Sequence, residues 1–137
     1  MIKVKIKKLH ETAVIPRYAK PGDAGMDLTA VEAYEEGMWI TYRTGLAMEI
    51  PQGYVGLLFP RSSVYKTEQQ LSNCVGVIDS GYRGEIMMKF SRSSRQYSVG
   101  DRVGQIIVMP YPQVEFEQVG DLSDSERGTG GYGSTGQ

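Results

Sequence analysis

A carboxylate, an aromatic ring and an arginine fall close together in Gly76-Val77-Ile78-Asp79-Ser80-Gly81-Tyr82-Arg83-Gly84-Glu85-Ile86. An apolar run from Val75 to Ile78 ends in Asp79. Two glycines then bracket Tyr82 and Arg83, and a second apolar-rich run spans Ile86 to Phe90. The pattern predicts a β-hairpin of strand, turn and strand, with Asp79 and Tyr82 at its mouth. A carboxylate held there can take a proton from water beside a flat or cyclic substrate. The same residues also suit a plain turn, because Asp and Ser often open one.

Other stretches carry groups that suit anions. Arg61-Ser62-Ser63 breaks an apolar run and offers a cation with two hydroxyls. With a helix N-terminus, this makes an anion site, or else a helix cap beside a surface arginine. Arg102-Val103-Gly104-Gln105 again puts polar groups where a strand begins. The tail, Arg127 to Gln137, has closely spaced glycines, Arg127, Ser134 and Thr135, and no aliphatic residue. Backbone N–H groups of such a segment can wrap a polyphosphate, and its lone aromatic, Tyr132, suits stacking on a base. The alternative is a disordered Gly-rich tail. No Gly-Lys-Ser/Thr ending makes it a Walker A loop.

Asp27 is the one charge in Ala24–Ala30. It suits a metal-bound water or a bond to a nearby turn. Asn73 is the only asparagine, and an amide can match the donor and acceptor edge of a pyrimidine or hold a bulge. Cys74 is expected to pack as a small apolar residue. Together these groups describe one ligand: a flat base, a sugar, several phosphates and a hard cation.

These residues must be positioned by short strands. Ile2, Val4 and Ile6 alternate with lysines, which predicts a half-buried strand. Glu35-Glu36-Gly37 reads as a turn. Met38–Thr44 and Leu46–Ile50 read as two short strands around Gly45. Tyr54–Phe59 is a core strand, and Ser62 or Ser63 is expected to cap a short helix to about Glu68. Ile86, Met88 and Phe90 share one strand face. Val99-Gly100-Asp101 is a turn before a strand over Arg102–Met109. Val114, Phe116 and Gln118 alternate with Glu115, Glu117 and Val119. The class is all-β, a sandwich or jelly-roll-like barrel of short strands with one short helix. The domain is expected over residues 1–119, with a linker and mobile Gly-rich tail over 120–137.

The totals narrow the function classes. A chain of 137 residues predicts one domain that can bury a core. A formal net charge of -1 gives no broad electrostatic case for nucleic acid or anionic membrane. One cysteine excludes an internal disulfide and suits a reducing compartment. With one histidine besides, a tight zinc site is not expected; a catalytic metal would be a hard ion held mostly by substrate and water. Met1–Leu9 lacks the continuous apolar core of a signal peptide, and no window reaches the ~20 apolar residues of a membrane helix. A soluble, cytoplasmic protein is expected.

The chain resembles the homotrimeric all-β deoxyuridine triphosphatases (dUTPases). The resemblance rests on five motifs in family order. They are Pro21–Leu28, Pro60–Ser63, Asn73–Glu85, Gly100–Gln105 and Arg127–Gly136. The resemblance implies hydrolysis of dUTP to dUMP and pyrophosphate, which keeps uracil out of DNA and supplies dUMP for dTMP synthesis. It implies that Asp79 holds and deprotonates the water that attacks the α-phosphorus. Tyr82 would lie under the deoxyribose and leave no room for a 2′-hydroxyl. Asn73, with backbone groups of Gly76, Val77 and Ile78, would read uracil. Arg61, Ser62, Ser63 and Gln105 would contact phosphates, and Asp27 would hold Mg2+ through water. Arg127, Gly131, Ser134 and Thr135 would clamp the phosphates as the tail closes, with Tyr132 covering the base. Each site would draw on several chains of a trimer. Two departures stand out: Ser63 where the family often has Gly, and Tyr132 where it usually has Phe. A related dCTP deaminase would need a glutamate base five residues past Gly84, where this chain has Lys89. A nucleotide-sensing regulator of the same fold is the other alternative.

Overall fold

The computed structural model describes residues 1–136 and holds eight strands: β1 (Lys5–Lys8), β2 (Met26–Thr29), β3 (Glu32–Glu36), β4 (Trp39–Glu49), β5 (Tyr54–Phe59), β6 (Gly76–Ile78), β7 (Glu85–Ser91) and β8 (Arg102–Pro110). The one helix among the described residues is a 3-10 turn over Ser62–Lys66. The strands form two antiparallel four-stranded sheets. In the first, β4 pairs with β1 and β3 along one edge and with β7 along the other. The second runs β2-β8-β5-β6.

Period-two patterning places the core between the sheets. On β7, Ile86, Met88 and Phe90 are buried while Met87 and Lys89 are exposed. On β4, Ile40, Tyr42 and Thr44 face the same interior. Rings of Tyr42, Phe90 and Tyr97 meet edge to face, with centroids 5.7 to 6.1 Å apart. Burying Tyr42 requires a partner for its hydroxyl. It donates to the Tyr97 carbonyl at 2.8 Å and accepts from Gln69 Nε2 at 3.2 Å. Burial nevertheless raises the Tyr42 pKa, since a phenolate would be costly there.

Several expectations need correction. The runs on either side of Asp79 do not pair as a hairpin: β6 pairs with β5, and β7 with β4 in the other sheet. The segment Asp79–Gly84 is longer than a tight hairpin turn and carries the chain between layers. The two short strands around Gly45 are one strand with a bulge. Gly45 has φ +68°, and a Cβ there would press on His10 and Ala13, so only glycine lets the strand bend without stopping. Glu35 and Glu36 finish edge strand β3, and the turn begins at Gly37. The first strand starts at Lys5, not Ile2. No side chain caps the 3-10 turn; Arg61 takes the N-cap position. Cys74 is exposed at φ +62° and does not pack. Val114 to Val119 forms no strand within the chain, and Phe116 is 94% exposed.

Candidate nucleotide site

One end of the second sheet gathers three of the five motifs. Asp27 on β2 lies across from Gln105 on β8, and Gln105 also lies across from Phe59, the last residue of β5. Arg61 follows just beyond. Its Nε donates to Asp27 Oδ1 at 2.9 Å, and one terminal nitrogen reaches Ser63 Oγ at 3.3 Å. Arg102 donates to the other Asp27 oxygen at 3.3 Å. Two guanidinium groups therefore share one carboxylate, which leaves local positive charge for an anion. Gln105 Nε2 donates to the Pro60 carbonyl at 3.0 Å. Gly25 lies beside it, and a Cβ there would push the Gln105 carboxamide out of this position. Ser62 is exposed at the same end.

Chemistry of another kind sits along β6. A groove of about 200 Å³ is lined by Val77, Ile78, Asp79, Tyr82, Glu85 and Met87. Gly76 is buried against Leu58. Val77 is 61% exposed despite being apolar, so a flat ligand could cover it. The Asp79 side chain is exposed, and its carbonyl accepts from Tyr82 N–H at 3.1 Å. The Tyr82 hydroxyl donates to the Glu85 carbonyl at 2.9 Å, and its ring occupies the space over Gly84. Asn73 is exposed just upstream, where its carbonyl accepts from Val75 N–H at 2.6 Å.

These two groups are not brought together within one chain. Ile78 pairs with Gly56, so Asp79 extends toward the start of β5, whereas Arg61 lies beyond its end. Six residues of strand at ~3.3 Å each separate the levels of Asp79 and Arg61 by roughly 20 Å. The tail forms a third group. Arg127 Nε donates to the Gly130 carbonyl at 2.7 Å, and Ser134 N–H to the Gly131 carbonyl at 3.0 Å. Tyr132 (φ +52°) and Thr135 are exposed. Among the described residues, the hydrogen bonds of the tail stay within 125–136.

Sequence reasoning missed two contributors. Arg102 shares a motif with Gln105, and its partner Asp27 is 75 residues away. Glu85 directly follows Tyr82-Arg83-Gly84, and a carboxylate opening an apolar run was the available signal; the fold leaves it half-buried. Among the described residues, no three His, Cys, Asp or Glu converge to cage a metal. The donor set fits only an ion brought mainly by phosphate and water, with Asp27 nearby.

Comparison with known proteins follows the same lines. The dUTPase family model matches residues 11–136. A deoxyuridine 5'-triphosphate nucleotidohydrolase of Solibacter usitatus is 41% identical, over 99% of this chain and 97% of its own. Its counterpart in Clostridioides difficile is 39% identical, with 99% of both chains covered. A mutant dUTPase of Staphylococcus bacteriophage 80alpha, solved with dUpNHpp, superposes at TM-score 0.85 with 27% identity over 100% of both chains. A mutant dUTPase from phage phi11 of S. aureus, reported with a structural Mg(II) ion, superposes at 0.74 with 26% identity, over 88% of this chain and 99% of that one. With motif order, sheet topology and sequence in agreement over nearly all its length, this chain belongs to the dUTPase family.

Proposed function

We propose that this chain is a dUTP diphosphatase, which cleaves dUTP to dUMP and pyrophosphate. The observation that carries the reading is Asp79 beside Tyr82 in one groove, in a chain of this family. The Asp79 carboxylate accepts a proton from water. The water oxygen attacks the α-phosphorus, the bond to the bridging oxygen breaks, and pyrophosphate leaves with the electron pair. The flat face of Tyr82 lies against the sugar and rejects a 2′-hydroxyl by size. Asn73, with the backbone of Gly76, Val77 and Ile78, reads the uracil edge. Arg61, Ser62, Ser63 and Gln105 grip the phosphates. A magnesium ion carried in with the triphosphate would supply positive charge that offsets repulsion of the incoming oxygen. Asp27, which orients Arg61, would hold that ion through water.

The active assembly is a homotrimer with shared sites. Asp79 must reach the attacking water while Arg61 reaches a phosphate of the same triphosphate, yet the two residues stand roughly 20 Å apart along the sheet. A neighbouring chain resolves the mismatch. Exposed Val114 and Phe116 also call for cover by another chain. The domain runs over 1–119, and the linker and tail over 120–137. The tail closes over the bound nucleotide, with Arg127, Gly131, Ser134 and Thr135 on phosphates and Tyr132 on the base. This excludes other water.

Among the described residues, no helix is long and apolar enough to cross a membrane. Exposed Cys74 fits a reducing cytoplasm, where removal of dUTP keeps uracil out of DNA. The test is pyrophosphate release from dUTP, UTP, dTTP and dCTP with magnesium. Release from dUTP alone is expected. Ammonia from dCTP would instead mark a deaminase, and tight dUTP binding without release would mark a sensor.

A further inference from the structure

We infer that Arg43 and Glu85 form a clasp that positions the Tyr82 ring, so that they set sugar discrimination through that ring. The inference rests on the proposed function, in which Tyr82 excludes the 2′-hydroxyl.

The ladder between β4 and β7 is broken between Arg43 and Ala47. Arg43 lies across from Met87, but the next pair is Ala47 with Glu85. A regular register would have put Gly45 there, so the bulge leaves backbone groups without ladder partners just where β7 begins. The Glu85 side chain fills that gap. Its Oε2 accepts from Gly45 N–H at 2.9 Å, and its Oε1 accepts from Arg43 Nε at 3.0 Å and a terminal nitrogen at 2.7 Å. The carboxylate is only 10% exposed. Arg43 is itself held from the other side, donating to Glu32 at 2.7 Å. A fork-to-carboxylate pair fixes direction as well as distance.

Tyr82 hangs from this anchored residue. Its hydroxyl donates to the Glu85 carbonyl, and its ring fills the space over Gly84. The chain from Asp79 to Gly84 crosses between sheets without strand pairing of its own. The ring position is therefore defined from the Glu85 side, and what fixes Glu85 fixes the wall against the sugar. Arg43 and Glu85 are positioning residues. A wall that shifts by a fraction of an ångström admits the larger sugar.

The test compares kcat/KM for dUTP and UTP in the full-length protein carrying Glu85→Gln, Arg43→Lys, or Tyr82→Phe with and without Glu85→Gln. Glutamine can still accept from Gly45 N–H, but its NH2 faces the guanidinium. Lysine loses the fork. Each single variant is expected to lower the dUTP-to-UTP preference roughly three- to tenfold, the scale of one hydrogen bond. Tyr82→Phe cuts the link to Glu85, so adding Glu85→Gln is expected to change the preference little further. Arg92→Gln, which removes a surface pair with Glu35 at 2.8 Å, is the control and leaves the preference unchanged. A merely structural role lowers both substrates in parallel. If Glu85→Gln and Arg43→Lys change efficiency but not preference, the clasp is overturned while the proposed function stands. If Glu85→Gln does not fold, Arg43→Lys carries the same comparison. A wild-type protein that does not prefer dUTP overturns both readings.

Discussion

Two inactive variants should restore one another when their chains are mixed. Asp79→Asn removes the proton acceptor, and Arg61→Gln removes a phosphate grip and one of the two arginine partners of Asp27. Their separation of roughly 20 Å along β5 places them in different sites if each site is built by neighbouring chains. The yield follows from counting. In a ring of three, each site takes Asp79 from one chain and Arg61 from the next. Random mixing in equal amounts gives each chain a one-half chance of being the right type, so about one quarter of sites are whole. The variants are co-refolded from denaturant, and pyrophosphate release is compared with wild type at equal chain concentration. The background is low, because loss of a positioned base costs on the order of 10²- to 10⁴-fold. Recovery near a quarter supports shared sites. Activity no higher than that of either variant alone, with mixed trimers demonstrated by tagged chains, refutes the geometric reasoning and puts all groups in one chain.

Other perturbations test separate links. Deleting residues 127–137 is expected to leave the melting temperature nearly unchanged while turnover collapses, since among the described residues the tail's hydrogen bonds reach no further than Ser125; a lost thermal transition would make the tail structural. Phe90→Ala, at the centre of the aromatic cluster, should cost about 3–5 kcal/mol in a denaturant titration. A loss well under that would mean the sheets close around the cavity. The Glu85 carboxyl feels burial pushing its pKa up, but Arg43 and the Gly45 N–H outweigh it and hold the pKa below the ordinary glutamate range. A depressed carboxyl stabilises the fold above its unfolded pKa, and that part is lost as pH falls through the folded value. Arg43 holds it directly, His10 acts on it through charge, and Glu32 pairs with both of those. The Glu85 contribution should therefore hold from pH 7 to about pH 5, and the melting temperature should fall as pH drops below about 4, less steeply in Glu85→Gln. Equal slopes would remove Glu85 from the acid response.

The all-β class was legible in the sequence. Tyr54–Phe59 and the face of Ile86, Met88 and Phe90 follow from apolar spacing and carry over directly into β5 and β7. Asp79, Tyr82, Arg61 and Gln105 stand in motifs whose residue types suit the chemistry. The pairing of strands did not follow. Alternation tells which side of a strand is buried, and says nothing about which strand lies beside it. The runs flanking Asp79 thus read as one hairpin, yet they belong to different sheets. Charge partners were equally out of reach. Asp27 and Arg102 are 75 residues apart, and Arg43 and Glu85 are 42 apart, with nothing local to join them.

The sequence by itself determined an all-β chain with the residue types for cleaving a nucleoside triphosphate, because side-chain chemistry and period-two burial are local properties. Only the tertiary structure decided that Asp79 and Arg61 stand at opposite ends of one sheet, that two arginines share Asp27, and that a bulge at Gly45 is filled by Glu85 beneath Tyr82. These are long-range registers. They depend on which backbone edges meet and on which buried polar groups must find a partner, and both are set only when the whole chain packs.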